Sequence, residues 1–375
     1  MQATRPRTWL IPLLSAGALA GLLTLGAWGI IRHTRPRDPM YQGRPLRTWV
    51  LELRLGDLSR RRQAEQAIRS LGPAAVPTLI RSVSRNDPLL KRGLLALRPS
   101  LPQATWRWLC GLVAPYDASY ERMCGAQGVD LLGPQAEAAV PALAWLLRQP
   151  RVGTAETWLA AGALADIGPA GIPPLIAALR DGNLDTQRVA CAALAQAGSR
   201  AAPAAGLLVA TLDAPDTGLQ AQASTALGRI GAPALPALFD RILTVPGPTP
   251  LRLIQALANV GASSHEALQA LLAGLRHPKD QVRVAAVRAV ALTPPLVLPS
   301  VRAVIQATAD PDPAVRRAAV EALGDMAGRT PLATNAVPAL RTRLQDPESA
   351  IRQAAATVLA KLARPPAPRP PAPTP

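Results

Sequence analysis

Ala226-Leu227-Gly228-Arg229-Ile230-Gly231 is the stretch on which the fold of this 375-residue chain turns. It is an Ala-Leu-x-x-Ile-Gly element, and it recurs. Ala163-Leu164 with Ile167-Gly168, Ala193-Leu194 with Ala197-Gly198, and Ala256-Leu257 with Val260-Gly261 repeat it. Ala67-Ile68 with Leu71-Gly72 and Gly128-Val129 with Leu132-Gly133 are earlier copies. Ala289-Val290, Ala322-Leu323 and Val358-Leu359 are copies that lack the closing glycine. From Gly133 the glycines advance by 35, 30, 33 and 30 residues. A recurring period of this size marks a stacked-repeat architecture. The step from Gly72 to Gly133 is 61 residues, about two units. One divergent repeat, over about 88–118, is expected to fill that gap.

Working outward from the element, each unit has one anatomy. A first helix carries Ala or Val at i, i+3, i+4 and i+7, a narrow stripe that lets helices approach closely. Gly ends it, because the position after a helix C-terminus favours positive φ. A second helix then starts with Pro in or near its first turn, where one N–H lacks a partner anyway. The pairs are Val76-Pro77, Val140-Pro141, Ile172-Pro173, Leu235-Pro236 and Val337-Pro338. Polar loops such as Asp181-Gly182-Asn183, Asp310-Pro311-Asp312 and Asp346-Pro347-Glu348 close the unit. One such hairpin cannot bury its apolar faces alone, and stacking on neighbours does so. The expected fold is all-α: a solenoid of about nine stacked helical hairpins over 58–363, preceded by one transmembrane helix.

Val315-Arg316-Arg317-Ala318-Ala319 with Ala322-Leu323, Val282-Arg283-Val284-Ala285-Ala286 with Ala289-Val290, and Ile351-Arg352-Gln353-Ala354-Ala355 with Val358-Leu359 resemble HEAT repeats. The likeness is to the short variety named for phycobilisome-lyase relatives. Tyr41-Gln42-Gly43-Arg44-Pro45-Leu46-Arg47-Thr48-Trp49 is similar to the juxtamembrane start of HEAT-repeat proteins of verrucomicrobial and related bacteria. The resemblance implies an Arg near the start of each first helix that reaches an Asp in an adjacent loop. Arg61, Arg122, Arg283, Arg316 and Arg352 fit that slot, with Asp181, Asp310 and Asp346 as loop acids, whereas Thr157, Gln187 and Gln220 depart from it. These residues are expected to form a structural ladder.

Hydrophobic residues make up 49% of the chain, which excludes disorder over most of its length. Aromatics are only 3%, so the core must be Ala, Leu, Val and Ile. The net charge of +17 is carried by 38 Arg and 3 Lys. Between Arg32 and Leu109 there are 16 basic and 5 acidic residues, a net of +11. Residues 1–8 form a short basic tail, and Trp9 to Ile31 holds 23 residues without a charge. At about 1.5 Å per residue that run reaches about 34 Å, enough to cross a bilayer core. It continues well past Ala18-Leu19-Ala20, so an uncleaved anchor is expected rather than a cleaved signal peptide. Arg32, Arg35 and Arg37 open a basic segment over 32–57 and stand where anionic headgroups would meet them. Counting positive residues places the soluble portion in the cytoplasm. A short basic start is also how export signals begin, which argues for the periplasm. Residues 364–375 read as extended polyproline.

Catalytic motifs are missing from the sequence. There is no phosphate-binding loop, no dinucleotide fingerprint and no nucleophile elbow. His33, His265 and His277 are scattered, and the odd cysteines Cys110, Cys124 and Cys191 include no C-x-x-C. No catalytic residue, cofactor or metal ligand is expected. Trp106, Trp108, Trp145 and Trp158 form the candidate binding surface, with a second reading in which they fill gaps between unequal repeats. The leading expectation is a non-catalytic scaffold tethered to a membrane that binds a protein partner through its concave face. The alternatives are a phycobilin-lyase-like enzyme or subunit, and a nucleic-acid binder, which the anchor disfavours.

Overall fold

The computed structural model describes residues 38–55, 57–86, 118–149, 154–294 and 297–363. The expected anchor at 9–31, Arg32, Arg35, Arg37, Trp106, Trp108, Cys110 and the tail from 364 lie outside them. Among the described residues no helix is long and apolar enough to cross a membrane.

A small hairpin, β1 (Met40–Tyr41) and β2 (Arg44–Pro45), leads into α1 (Leu46–Leu55). The first helices of the repeats are α2 (Leu58–Leu71), α4 (Ala118–Leu132), α6 (Thr154–Ile167), α8 (Leu184–Ala197), α10 (Thr217–Ile230), α12 (Leu251–Ser263), α14 (Asp280–Leu292), α16 (Pro313–Ala327) and α18 (Ser349–Ala363). Their second helices are α3 (Val76–Val83), α5 (Val140–Leu147), α7 (Ile172–Asp181), α9 (Ala205–Thr211), α11 (Leu235–Thr244), α13 (His265–Ala273), α15 (Leu298–Ala307) and α17 (Val337–Arg343). The two sets form two layers. First helices pack closely on one another from repeat to repeat, while neighbouring second helices meet sparsely. A stack bends toward its tighter layer, so the first helices line the inside of the curve.

The joints follow the sequence. Gly72, Gly133, Gly168, Gly198 and Gly231 all stand at positive φ, where a side chain is strained. Short 3-10 turns such as Pro169–Gly171 and Ala232–Ala234 then lead into the second helix, whose early Pro costs no hydrogen bond. Gly261 is the exception: it lies inside α12, which runs on to Ser263. A Cβ there would meet Leu271 Cδ2 at 2.7 Å, so this glycine serves close packing.

α3 packs directly on α4. A Cβ on Gly125 would meet Val83 N at 2.8 Å, and one on Gly128 would meet Leu79 Cδ2 at 2.4 Å. The unit before residue 87 and the unit after residue 117 are therefore stacking neighbours. The divergent repeat expected over about 88–118 falls almost wholly on residues 87–117, outside the described residues.

The Tyr41 to Trp49 segment acquires a physical meaning as an end cap. Trp49 donates from Nε1 to the Tyr41 carbonyl at 3.2 Å and meets the Tyr41 ring edge-on. The Arg44 guanidinium lies 4.3 Å from the Trp49 ring centre while it bridges to Glu52. Leu46 and Trp49 are buried beneath it.

Candidate functional site

Two features organise the described surface: a charge ladder along the loops and a polar row along the first helices. In the ladder, Arg283 donates from Nη1 to the His277 and Pro278 carbonyls, and from Nε and Nη2 to Asp310 at 2.9 Å each. Arg316 repeats this pattern on the Asp310 and Pro311 carbonyls and on Asp346. Each arginine thus staples its own loop to the next repeat. The Asp310 bond holds the Arg283 guanidinium above its ordinary pKa, and the Arg316 bond holds the Asp346 carboxyl below its own. Arg352 bonds the Asp346 and Pro347 carbonyls at 2.8 Å, the same half of the pattern.

The ladder corrects several expected roles. Among the described residues Arg61 joins no rung; it pairs with Glu65 on its own helix. Asp181 pairs with no cation among the described residues. The Gln187 position is not a gap, because the next residue, Arg188, reaches Asp216 at 2.8 Å. Arg122 does make a rung, but to Glu156 in the first turn of α6 rather than to a loop Asp. Glu156 is 1% exposed. Its counterpart one repeat earlier, Glu121, is 4% exposed and takes Arg47 and Arg85. Asp213 likewise holds both Arg241 and Arg252. Helix-borne glutamates carry no loop signature, so spacing alone could not find them.

The row on the first helices lies where a partner on the inner face would meet it. Asp130, Asp166, Gln196, Arg229 and Asn259 occupy it, each two or three residues before its glycine. Gln196 Nε2 donates to Asp166 Oδ2 at 3.0 Å, and Asn259 Nδ2 donates to Ser224 at 2.9 Å. Burial raises the Asp130 carboxyl to about 6, helped by its hydrogen bond to Asp166 and that group's charge. A raised folded pKa means that the folded chain keeps a proton which the unfolded chain has lost. Stability should therefore fall as pH rises from about 4 to about 6, a window set by the ordinary and the folded values of the Asp130 carboxyl. Asp130→Asn should flatten that fall and raise the melting temperature at pH 7, as a pH series of thermal melts would show. A parent protein flat over the window would overturn the raised Asp130 carboxyl.

Of the four tryptophans, Trp145 and Trp158 are described. They sit in different layers. Trp145, on second helix α5, is half-buried against the core, as the gap-filling reading expects. Trp158, on first helix α6, is 49% exposed. Gly162 and Asp166 follow it at one-turn intervals, so the three share one stripe of the inner layer. Cys124 and Cys191 are buried free thiols, pushed up by burial to about 11 and about 12. They are poor nucleophiles in that state. His265 opens α13 just after Ser264, whose side chain caps the helix. Among the described residues no group of three or more His, Cys, Asp or Glu is placed to hold a metal ion.

Residues 172–258 and 301–370 match the family of HEAT repeats. No curated protein sequence matches the chain. Among solved structures, an engineered protein aligns at 18% identity with a TM-score of 0.30, covering 84% of this chain and 98% of the other. The karyopherin Kap121p, bound to the extreme C-terminus of the protein phosphatase Cdc14p, aligns at 10% identity and a TM-score of 0.39. That alignment spans 86% of this chain and 38% of that one. The CpcE and CpcF complex of phycocyanin lyase from Nostoc sp. PCC7120 aligns at 20% identity and 0.26, over 60% and 94%. The described architecture is a mostly helical, solenoid-like repeat fold, and the HEAT-repeat match falls on two segments of it.

Proposed function

We propose that the chain is a non-catalytic scaffold, tethered to a membrane through Trp9–Ile31, that binds a protein partner on the inner layer of first helices. The observation that carries this reading is Trp158, a large aromatic half in solvent on that layer. Aromatic side chains of this kind anchor protein interfaces. Beside it lie Gly162, which leaves room for a partner's backbone, and the Asp130–Asp166 pair. The inner row holds two acids, two amides and one arginine instead of forming a basic groove, and most ladder arginines already hold carboxylates. Both points favour protein over nucleic acid. The buried thiols and the scattered histidines favour binding over catalysis.

Trp158→Ala should leave the melting temperature within a few degrees of the parent, because the lost side chain is half in solvent. It should also weaken capture of stoichiometric partners from detergent-solubilised membranes by about tenfold or more, the scale of an interface anchor. Unchanged capture, or capture of DNA or RNA in place of protein, would sink the scaffold reading.

A further inference from the structure

We propose that the exposed face of α2, at the N-terminal end of the layer of first helices, rests on an anionic phospholipid bilayer; this rests on the tethering reading above. The helix carries Arg60, Arg61, Arg62 and Arg69, and α1 ends with Arg54. Of these, among the described residues, only Arg61 has an acidic partner, Glu65. Arg54, Arg60, Arg62 and Arg69 are exposed and make no ion pair among the described residues. The nearby acids are engaged: Asp57 caps α2 by accepting from the Arg60 N–H and Ser59 Oγ, and Glu52 holds Arg44. Ala64, Ala67 and Ile68 bury the inner side of α2. Leu58, Arg62, Gln66 and Arg69 fall on the opposite stripe, and Leu58 is 75% exposed.

That composition suits a headgroup layer: guanidinium groups meet phosphates and one leucine reaches the acyl boundary. Chain length adds the second argument. Six residues separate Ile31 from Asp38. They span at most roughly 25 Å, so a tether at 9–31 holds the N-terminal end of the array near the bilayer. That end carries the exposed, unpaired arginines.

The test labels full-length chain at Ser59→Cys, in a Cys110→Ser background, with a fluorophore that bromolipids quench. The protein is reconstituted into phosphatidylcholine vesicles with or without one third phosphatidylglycerol. The expected result is quenching in the anionic vesicles only, lost at about 1 M salt, where the screening length is about 3 Å. Arg62→Gln with Arg69→Gln should lower the docking constant about 30-fold, roughly fivefold per arginine. Arg276→Gln with Arg302→Gln, an equal charge loss in distant repeats, should leave it unchanged. An unquenched label on chain that floats with the vesicles overturns the proposal, as do equal quenching in neutral lipid and equal effects of the two double variants. Displacement by an oligonucleotide at equal phosphate assigns the face to nucleic acid and also overturns it. Chain that floats with neither vesicle overturns the tethering reading itself, and the docking with it.

Discussion

Asp346→Ala is expected to destabilise the C-terminal repeats by about 3–5 kcal/mol, the scale for removing one partner of a buried ion pair. The Asp346 side chain is fully buried and accepts from Arg316 at 2.9 and 3.0 Å, from Arg343 at 3.0 Å and from the Glu348 N–H at 3.2 Å. Alanine leaves two arginines without their carboxylate, and Arg316 is itself largely buried. Because each repeat touches only its neighbours, the loss should be local. Hydrogen exchange should accelerate in α16, α17 and α18 and stay at parental rates in α4 and α6. The pH dependence runs opposite to that at Asp130. The folded Asp346 carboxyl lies below its ordinary 3.8, chiefly through the Arg316 bond. The unfolded chain then takes up the proton first as pH falls. The contribution is whole above about 4 and is lost as pH drops through the depressed folded value. Asp346→Asn keeps the shape but not the charge, and should fall between alanine and the parent. Uniform acceleration along the whole array would mean that the rung is not a local staple.

The ladder also shows what sequence could and could not reveal. Arg283 with Asp310 and Arg316 with Asp346 were legible because arginine follows a valine at the helix start and the acid sits in an Asp-Pro loop. The same logic placed Arg61 wrongly. Among the described residues Glu65, one turn away on the same helix, takes its guanidinium, and the chain directly after Asn86, residues 87–117, lies outside them. At α4 and α6 the acid moved from loop to helix, and Glu121 and Glu156 look in sequence like ordinary first-turn carboxylates. The glycine steps located the joints, yet equal spacing cannot say whether a long interval is a layer of the stack. Direct packing shows only that α3 and α4 are neighbours. Among the tryptophans, composition could not separate Trp145 from Trp158. Only the assignment of one to the second helices and the other to the first distinguishes filler from surface.

Gly171→Ala should be among the most damaging single-methyl changes in the chain, at about 3 kcal/mol, the upper end for overpacking a tight site. Gly171 ends the 3-10 turn between α6 and α7, at an ordinary negative φ, so strain in its own backbone is not the cause. A Cβ would lie 1.9 Å from the Leu164 carbonyl oxygen and 2.7 Å from its carbon. Those are backbone atoms of α6 and cannot rotate aside. At Gly128 the obstructing atom is the tip of the Leu79 side chain, which can turn, so Gly128→Ala should cost less. Gly206→Ala is the control: nothing lies within 4 Å of its would-be Cβ, and helix propensity favours alanine there by up to about 1 kcal/mol. Thermal unfolding of the three variants should rank them in that order, and a Gly171→Ala protein as stable as Gly206→Ala would refute the close approach. The consequence reaches beyond stability. Relief of the clash must shift α6 against α7, and α6 carries both Trp158 and Asp166. Gly171→Ala should therefore weaken partner capture although it touches no surface residue. Asp346→Ala, at the far end of a stack whose units sense only their neighbours, should lose more stability and leave capture at Trp158 intact. That reversal between the two variants would tie the binding surface to the N-terminal half of the inner layer.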